Sequence, residues 1–216
     1  MAPQTEKTPV QKYKAQLRPY MAWLGKRSGL VGCEIGVQRG LNARVMLEVY
    51  DIEMLYLVEA YRVYPVKVRE HGTSVSWEDD MTSESHMEIW NEARQNLMPY
   101  QDRVRWLIGW SFDMARHILD GSLDFVYIDG DHSYEGCLED IRLFYPKVRM
   151  GGLVAGHDCG RSNNGVDNAV DDFFGRDGKK NVRRQSFNWW YQKPSSLMSK
   201  WGMTHEEVLR KQGIKE

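Results

Sequence analysis

Ile128-Asp129-Gly130-Asp131-His132-Ser133-Tyr134 is the stretch that decides how this chain is built. The apolar run Leu123, Phe125, Val126, Tyr127 and Ile128 stops abruptly at two acids one residue apart and a histidine. Further on, a second apolar run, Leu153, Val154 and Ala155, stops at Gly156-His157-Asp158. A helix-like segment separates them. In a strand–helix–strand unit with parallel strands, both polar clusters fall at the carboxyl ends of the strands, where open α/β sheets bind ligands. Asp129, Asp131 and Asp158 could each serve only as a helix or turn cap, a common use of acids. Several carboxylates and two imidazoles converging on one crevice ask for more than capping.

Working outward toward the N-terminus, the strand-like run Leu30–Ile35 leads into Glu34-Ile35-Gly36-Val37-Gln38-Arg39-Gly40, and Leu41–Tyr50 then has helical character. Strand, glycine-rich turn and helix is the context in which such glycines matter: Gly36 allows a tight turn and Gly40 a close backbone approach to a ligand. The pattern is Glu-x-Gly-x-x-x-Gly, not the Gly-x-Gly-x-x-Gly of dinucleotide binders. An acid in that loop suits a ligand bearing positive charge. The next strand-like run, Met54–Val58, ends in Glu59, which is placed to accept hydrogen bonds from a ribose diol. Val104–Ile108 forms a third strand followed by Gly109-Trp110-Ser111, where an indole and a hydroxyl would suit an adenine ring.

The remaining elements complete an alternating pattern. Helices are expected over Ser85–Tyr100, Phe112–Leu119, Tyr134–Val148 (with Gly151-Gly152 as its stop) and Asp167–Phe174. Strands are expected over Leu123–Asp129 and Leu153–His157, and a closing pair over Asn181–Phe187 and Trp189–Lys193. Before this core lies a polar lead and an amphipathic helix, Gln11–Lys26, able to pack on a sheet face or on a sister chain, so a homo-oligomer is one arrangement the sequence allows. The irregular connection Ala60–Ser85 has the length of a lid or substrate loop, and Met198–Gln212 is expected to form a terminal helix. The expected division is therefore 1–29 as lead and helix, 30–193 as the core domain, and 194–216 as a helical tail.

Composition narrows the function classes. The 216 residues suffice for one sizeable core. Twenty-nine Lys and Arg against 30 Asp and Glu leave a net charge of -1, which gives no electrostatic reason to bind nucleic acid or a membrane. Three cysteines, Cys33, Cys137 and Cys159, have no metal-type spacing and an odd count, which fits a reducing cytoplasm better than a disulfide framework. Met1–Val10 is polar and lacks the apolar core of a signal peptide, so a soluble cytoplasmic protein is expected.

Taken together, these alternations, the Glu-x-Gly-x-x-x-Gly turn, the acid at Glu59 and the late strand pair resemble the class I S-adenosylmethionine-dependent methyltransferases. The likeness is closest to the metal-dependent small-molecule O-methyltransferases of catechol and macrolide-sugar type, and to the group carrying Asp-Gly-Asp-His-Ser-Tyr-Glu-Gly after the fourth strand. It implies an α/β, Rossmann-like, doubly wound sheet of seven strands, mostly parallel with an antiparallel last strand, and helices on both faces. It implies that Glu34, Gly36, Gly40 and Asn42 form the methionine side of the cofactor site, Glu59 the ribose side, and Trp110 with Ser111 the adenine side. Asp129 would border the cofactor and ligate a divalent metal together with His157 and Asp158. His157 departs from the catechol type, which has an acid there. Mg²⁺ prefers oxygen ligands, whereas an imidazole would favour Mn²⁺, Fe²⁺ or Zn²⁺. His132 or Asp131 would be the general base, with His132 preferred for its near-neutral solution pKa. The acceptor implied is a small hydroxylated molecule such as a sugar moiety. The competing functions on this fold are a hydroxylase-like metal enzyme and a non-catalytic cofactor-binding partner subunit.

Overall fold

In the computed structural model the described residues are 20, 21, 24, 28–61, 83–161 and 165–194, the side chains at 83–84 and 176–181 excepted. Most of the Gln11–Lys26 helix, nearly all of the Ala60–Ser85 connection and the Met198–Gln212 helix lie outside them. Of the first, Tyr20, Met21 and Leu24 are buried, and Tyr20 stacks on Tyr127 with ring centroids 5.1 Å apart.

The strands are β1 (Leu30–Ile35), β2 (Ile52–Glu59), β3 (Val104–Ile108), β4 (Leu123–Ile128), β5 (Val148–Gly156), β6 (Arg183–Gln185) and β7 (Asn188–Gln192). They form one seven-stranded sheet in the order β3-β2-β1-β4-β5-β7-β6. β1 pairs in parallel with both β2 and β4, so the strand order reverses between β1 and β4 and opens a crevice at their carboxyl ends. β7 runs antiparallel between β5 and β6. The fold is the Rossmann-like sheet of seven strands, mostly parallel with an antiparallel end, that the family resemblance implies.

β4 is buried at all six positions, as a strand covered on both faces must be. Its residues divide between two cores: Val126 and Ile128 pack beside Cys33, Ile35 and Val154, while Phe125 and Tyr127 pack beside Leu55, Leu57 and Ala155. Helices cover both faces: α1 (Leu41–Val49), α2 (Ser83–Leu97), the short α3 (Ser111–Met114), α4 (Tyr134–Phe144) and α5 (Val166–Asn181). α4 shows why the sequence is helical there. Cys137, Leu138, Ile141 and Phe144 recur on one buried face, and the Ser133 hydroxyl caps the start by accepting from the Gly136 N–H at 3.1 Å.

Several boundaries differ from the expected ones. α4 ends at Phe144, not Val148, because Pro146 offers no N–H and cannot continue a helix. Gly151 and Gly152 are therefore inside β5. There Gly151 takes a φ of 76° and β5 bulges, since Leu123 pairs with Val148 but Phe125 with Leu153. The helix expected over Phe112–Leu119 is only the four residues of α3 and a 3-10 turn, Ala115–His117. α5 extends past Phe174, with Gly175 at a φ of 68° breaking its regularity. No helix among the described residues is long and apolar enough to cross a membrane.

Candidate active site

The strand register brings the predicted clusters side by side. Ile35 lies opposite both Val58 and Ile128, and Ile128 lies opposite Gly156. Each strand's next residue, Gly36, Glu59, Asp129 or His157, therefore stands at one edge of the sheet. The ladder extends one step past the strands: Asp129 N–H donates to the Ile35 carbonyl at 2.8 Å and His157 N–H to the Ile128 carbonyl at 3.0 Å. Gly36 is required where it is. Its φ is 80°, and a Cβ there would stand 2.0 Å from the Asp129 carbonyl oxygen.

On the cofactor side, Glu34 is buried and its Oε1 accepts from Asn42 Nδ2 at 2.6 Å. Gly40 opens α1 at a φ of 71°. A cavity of about 550 Å³ opens at Gly36, and its lining includes Gly36, Glu59, Trp110, Ser111 and Asp131 but not Glu34, Gly40 or Asn42. The Glu59 carboxylate accepts from the N–H groups of Gln38 (3.0 Å) and Ala60 (2.9 Å), which fixes the acid in the cavity's lining. A volume of several hundred cubic ångströms lined by an acid and an indole is suited to a nucleoside. The residues present thus fit S-adenosylmethionine.

Asp140, on the inner face of α4, lines the same cavity and is nearly fully buried. Burial pushes its carboxyl up from the ordinary 3.8 to about 7, and the nearby charges of Asp131 and Glu139 add to this against a hydrogen bond with Ser111. The folded state therefore holds a proton that the unfolded chain has lost over the window between about 4 and about 7, so stability from this group falls as pH rises through it. Asp140→Asn is expected to be more stable than the parent at pH 8 and to have a flatter stability profile across that window, measured by denaturant unfolding at each pH. An unchanged profile would remove the group from the account.

On the other side of the crevice, one ligand atom each from Asp129, His132 and Asp158 lies within 4.8 Å of the others. His132 Nε2 is 2.9 Å from Asp158 Oδ2 and 3.7 Å from Asp129 Oδ1. His157 Nδ1 is 3.3 Å from Asp158 Oδ1 and 3.6 Å from Asp129 Oδ1. Arg161 Nε stands 2.6 Å from Asp158 Oδ1. Burial alone would lower the His132 pKa, but hydrogen bonds to Asp129 and Asp158 and the charges of both acids outweigh it and push it up to about 10. For Asp158, burial works upward, yet hydrogen bonds from His132 and His157 and their charges hold the carboxyl well below the usual range. Asp131 is turned the other way: its Oδ1 accepts from the Ser133 N–H at 2.8 Å, on the cavity side of the loop. Of the aromatic run Trp189-Trp190-Tyr191, the two tryptophans are buried in the core.

Sequence reasoning did not single out Tyr61, Asp140, Arg161 or Phe187. Tyr61 bonds the Gln38 carbonyl at 2.8 Å and packs on Trp90, tying the β1 and β2 loops together. Asp140 could have been noticed as a charge on the apolar stripe of α4. Arg161 and Phe187 sit in turns, where spacing carries no signal.

Comparison with known proteins agrees with this geometry. Residues 33–159 match the family Methyltransf_24, described as a methyltransferase domain. Among solved structures, the O-methyltransferase NovP is 20% identical, with 86% of this chain and 79% of NovP covered and a TM-score of 0.56. Cofactor-bound Rv0187 from MTB is 16% identical, with coverage of 89% and 84% and a TM-score of 0.53. A Corynebacterium glutamicum protein is 14% identical, with coverage of 88% and 92% and a TM-score of 0.51. At such identities the likeness is one of fold. No curated protein sequence matches. The matched stretch spans every strand end that builds the crevice, and the chain belongs to the methyltransferase-domain family as an S-adenosylmethionine-dependent methyltransferase.

Proposed function

We propose that the protein is an O-methyltransferase that uses a divalent metal to methylate a hydroxyl of a small polyhydroxylated acceptor. The observation that carries this is the convergence of Asp129, His132 and Asp158 on one point beside the cofactor cavity. Two carboxylates brought to one point are donors that divalent ions accept, and the His132 imidazole stands beside them. Asp129 and Asp158 would hold the ion; Mg²⁺ is commonly bound by one or two carboxylates while keeping water for its other positions. Bound there, it would supply Lewis acidity to the acceptor's hydroxyls. S-adenosylmethionine supplies an already electrophilic methyl group.

What the chain must add is alignment and proton removal. Glu34 with Asn42, and Glu59 in the cavity's lining, orient the cofactor from its two ends. His132, more exposed than His157 and with Nε2 2.9 Å from Asp158 Oδ2, is held as an imidazolium by Asp129 and Asp158; a cation on those carboxylates would take up their charge and leave the ring able to accept the acceptor's proton. His157, the more buried imidazole, braces both carboxylates.

Metal removal tests the reading. With S-adenosylmethionine and a vicinal diol, a chelator is expected to stop methyl transfer while calorimetric cofactor affinity stays the same, and added Mg²⁺ or Mn²⁺ is expected to restore transfer. Transfer that continues under chelation would rule out the metal. His132→Ala is expected to abolish transfer with metal affinity retained; loss of metal affinity would make His132 a ligand instead.

A further inference from the structure

We propose that Arg161 and Phe187 form the edge on which the acceptor docks, and that they select a ring-bearing acceptor carrying an oxyanion near the hydroxyl that is methylated. This deepens the O-methyl-transfer reading and rests on it for the position of the reacting hydroxyl.

One guanidinium joins the two residues to the acid cluster. Arg161 Nε is 2.6 Å from Asp158 Oδ1, and the same guanidinium lies 5.2 Å from the centroid of the Phe187 ring. Its side chain is 53% exposed. A guanidinium has five N–H donors in a fork, and Nε contributes one, so the terminal nitrogens can meet a second anion. Stacking on an aromatic face while bonding a carboxylate is the use to which arginine is better suited than lysine.

Phe187 supplies the independent observation. It is 52% exposed and has a φ of 64°, next to Ser186 at 50°. Gln185 pairs with Asn188, so these two residues are the whole turn between β6 and β7. A two-residue hairpin with both φ values positive favours Asn-Gly, and a phenylalanine in that conformation is strained. Burial does not repay the strain, because the residue is half exposed. Backbone strain of this kind concentrates at ligand clamps.

The edge is held rigid from behind. The Phe187 carbonyl accepts from the Cys159 N–H at 3.1 Å, and Asn188 Nδ2 donates to the Ser186 carbonyl at 2.9 Å. Asp167 accepts from the Gly160 N–H at 2.7 Å, and Arg184 pairs with Asp171 at 2.8 Å. The turn carrying Asp158 and Arg161 and the hairpin tip carrying Phe187 are therefore fastened to one another. With Trp189 and Trp190 in the core, Phe187 is the ring of this hairpin that offers most of a face to an incoming molecule.

The test uses the full chain loaded with Mg²⁺ and S-adenosylhomocysteine, titrated by NMR with matched probes: 3,4-dihydroxybenzoate against catechol, and glucose 6-phosphate against glucose. At least one anionic probe is expected to bind about tenfold more tightly than its neutral counterpart, and which one it is separates carboxylate from phosphate. Arg161→Gln is expected to erase that preference. Phe187→Gly is expected to weaken both members of the pair; glycine suits the φ at this position, so the variant should fold at least as well. Equal binding of anionic and neutral probes, or no binding of any, would overturn the proposal, as would a preference that survives Arg161→Gln. Methyl transfer to the same probes is scored separately. Transfer without an anion preference sinks the docking edge and spares the O-methyl reading. An anion preference in binding with no transfer to any hydroxyl does the reverse.

Discussion

Asp158→Asn is expected to lower methyl transfer by about 10³-fold while S-adenosylmethionine still binds. Asp158 is buried, sits at a φ of 60°, and receives His132, His157 and Arg161 on its two oxygens. The two histidines keep it ionised despite burial. Removing its charge leaves two imidazoles and a guanidinium around one remaining acid, Asp129. That arrangement repels a divalent cation and gives an imidazolium at His132 nothing to rest on. Asparagine is the right replacement because it tolerates the left-handed backbone that an alanine would resist. The cofactor cavity lies on the other side of the β4 loop, so its affinity, measured by calorimetry, is expected to be unaltered. Retention of transfer in this variant would remove Asp158 from both metal holding and proton transfer.

Gly36→Ala is expected to cost about 3 kcal/mol of stability and to abolish cofactor binding. Two effects add at this position. The φ of 80° is unfavourable for any residue with a Cβ, and that Cβ would stand 2.0 Å from the Asp129 carbonyl oxygen. The β1 and β4 loops would have to separate, which moves Glu34, Asp129 and the cavity wall together. Gly160→Ala is the control, since its φ is 77° but nothing lies within 4 Å of the added carbon. It is expected to show only the backbone penalty, about 1 kcal/mol. Denaturant unfolding of both variants separates the clash from the conformational strain. Equal losses would mean that the contact with Asp129 is not what fixes the loop.

The alternation of strands and helices and the crevice were legible because their causes are local and periodic, whereas the seven-stranded sheet with its antiparallel end followed from the family resemblance. Apolar runs such as Leu123–Ile128 and Leu30–Ile35 are continuous, as buried parallel strands are, and each ends in a polar residue that cannot stay inside the sheet. Parallel register then brings Gly36, Glu59, Asp129 and His157 to one edge without further information. The β5 bulge was not legible. A glycine pair after a helix looks like a helix stop, and only the pairing of Leu123 with Val148 shows that the strand already began there. The direction of Asp131 was hidden for a similar reason. Spacing puts it on the turn with His132, but a short acid two residues before Ser133 accepts from the N–H of that N-cap residue, on the cavity side of the loop. Arg161 and Phe187 belong to turns whose geometry depends on β7 lying beside β5, a contact distant in sequence.

The insertion of β7 between β5 and β6 has a consequence for how the protein is made. The cofactor half of the crevice comes from residues up to α4, which leave the ribosome first. The outer edge of β5 has no partner until residues 188–192 arrive, since Leu153, Val154 and Ala155 pair with Gln192, Tyr191 and Trp190. Until then the nascent chain presents an open apolar edge of the kind that recruits strands from other chains. The hairpin that closes that edge also delivers Phe187. Completing the sheet and completing the acceptor side of the site are thus one late event of synthesis, and a chain released before it would carry a cofactor cavity without the wall that chooses its substrate.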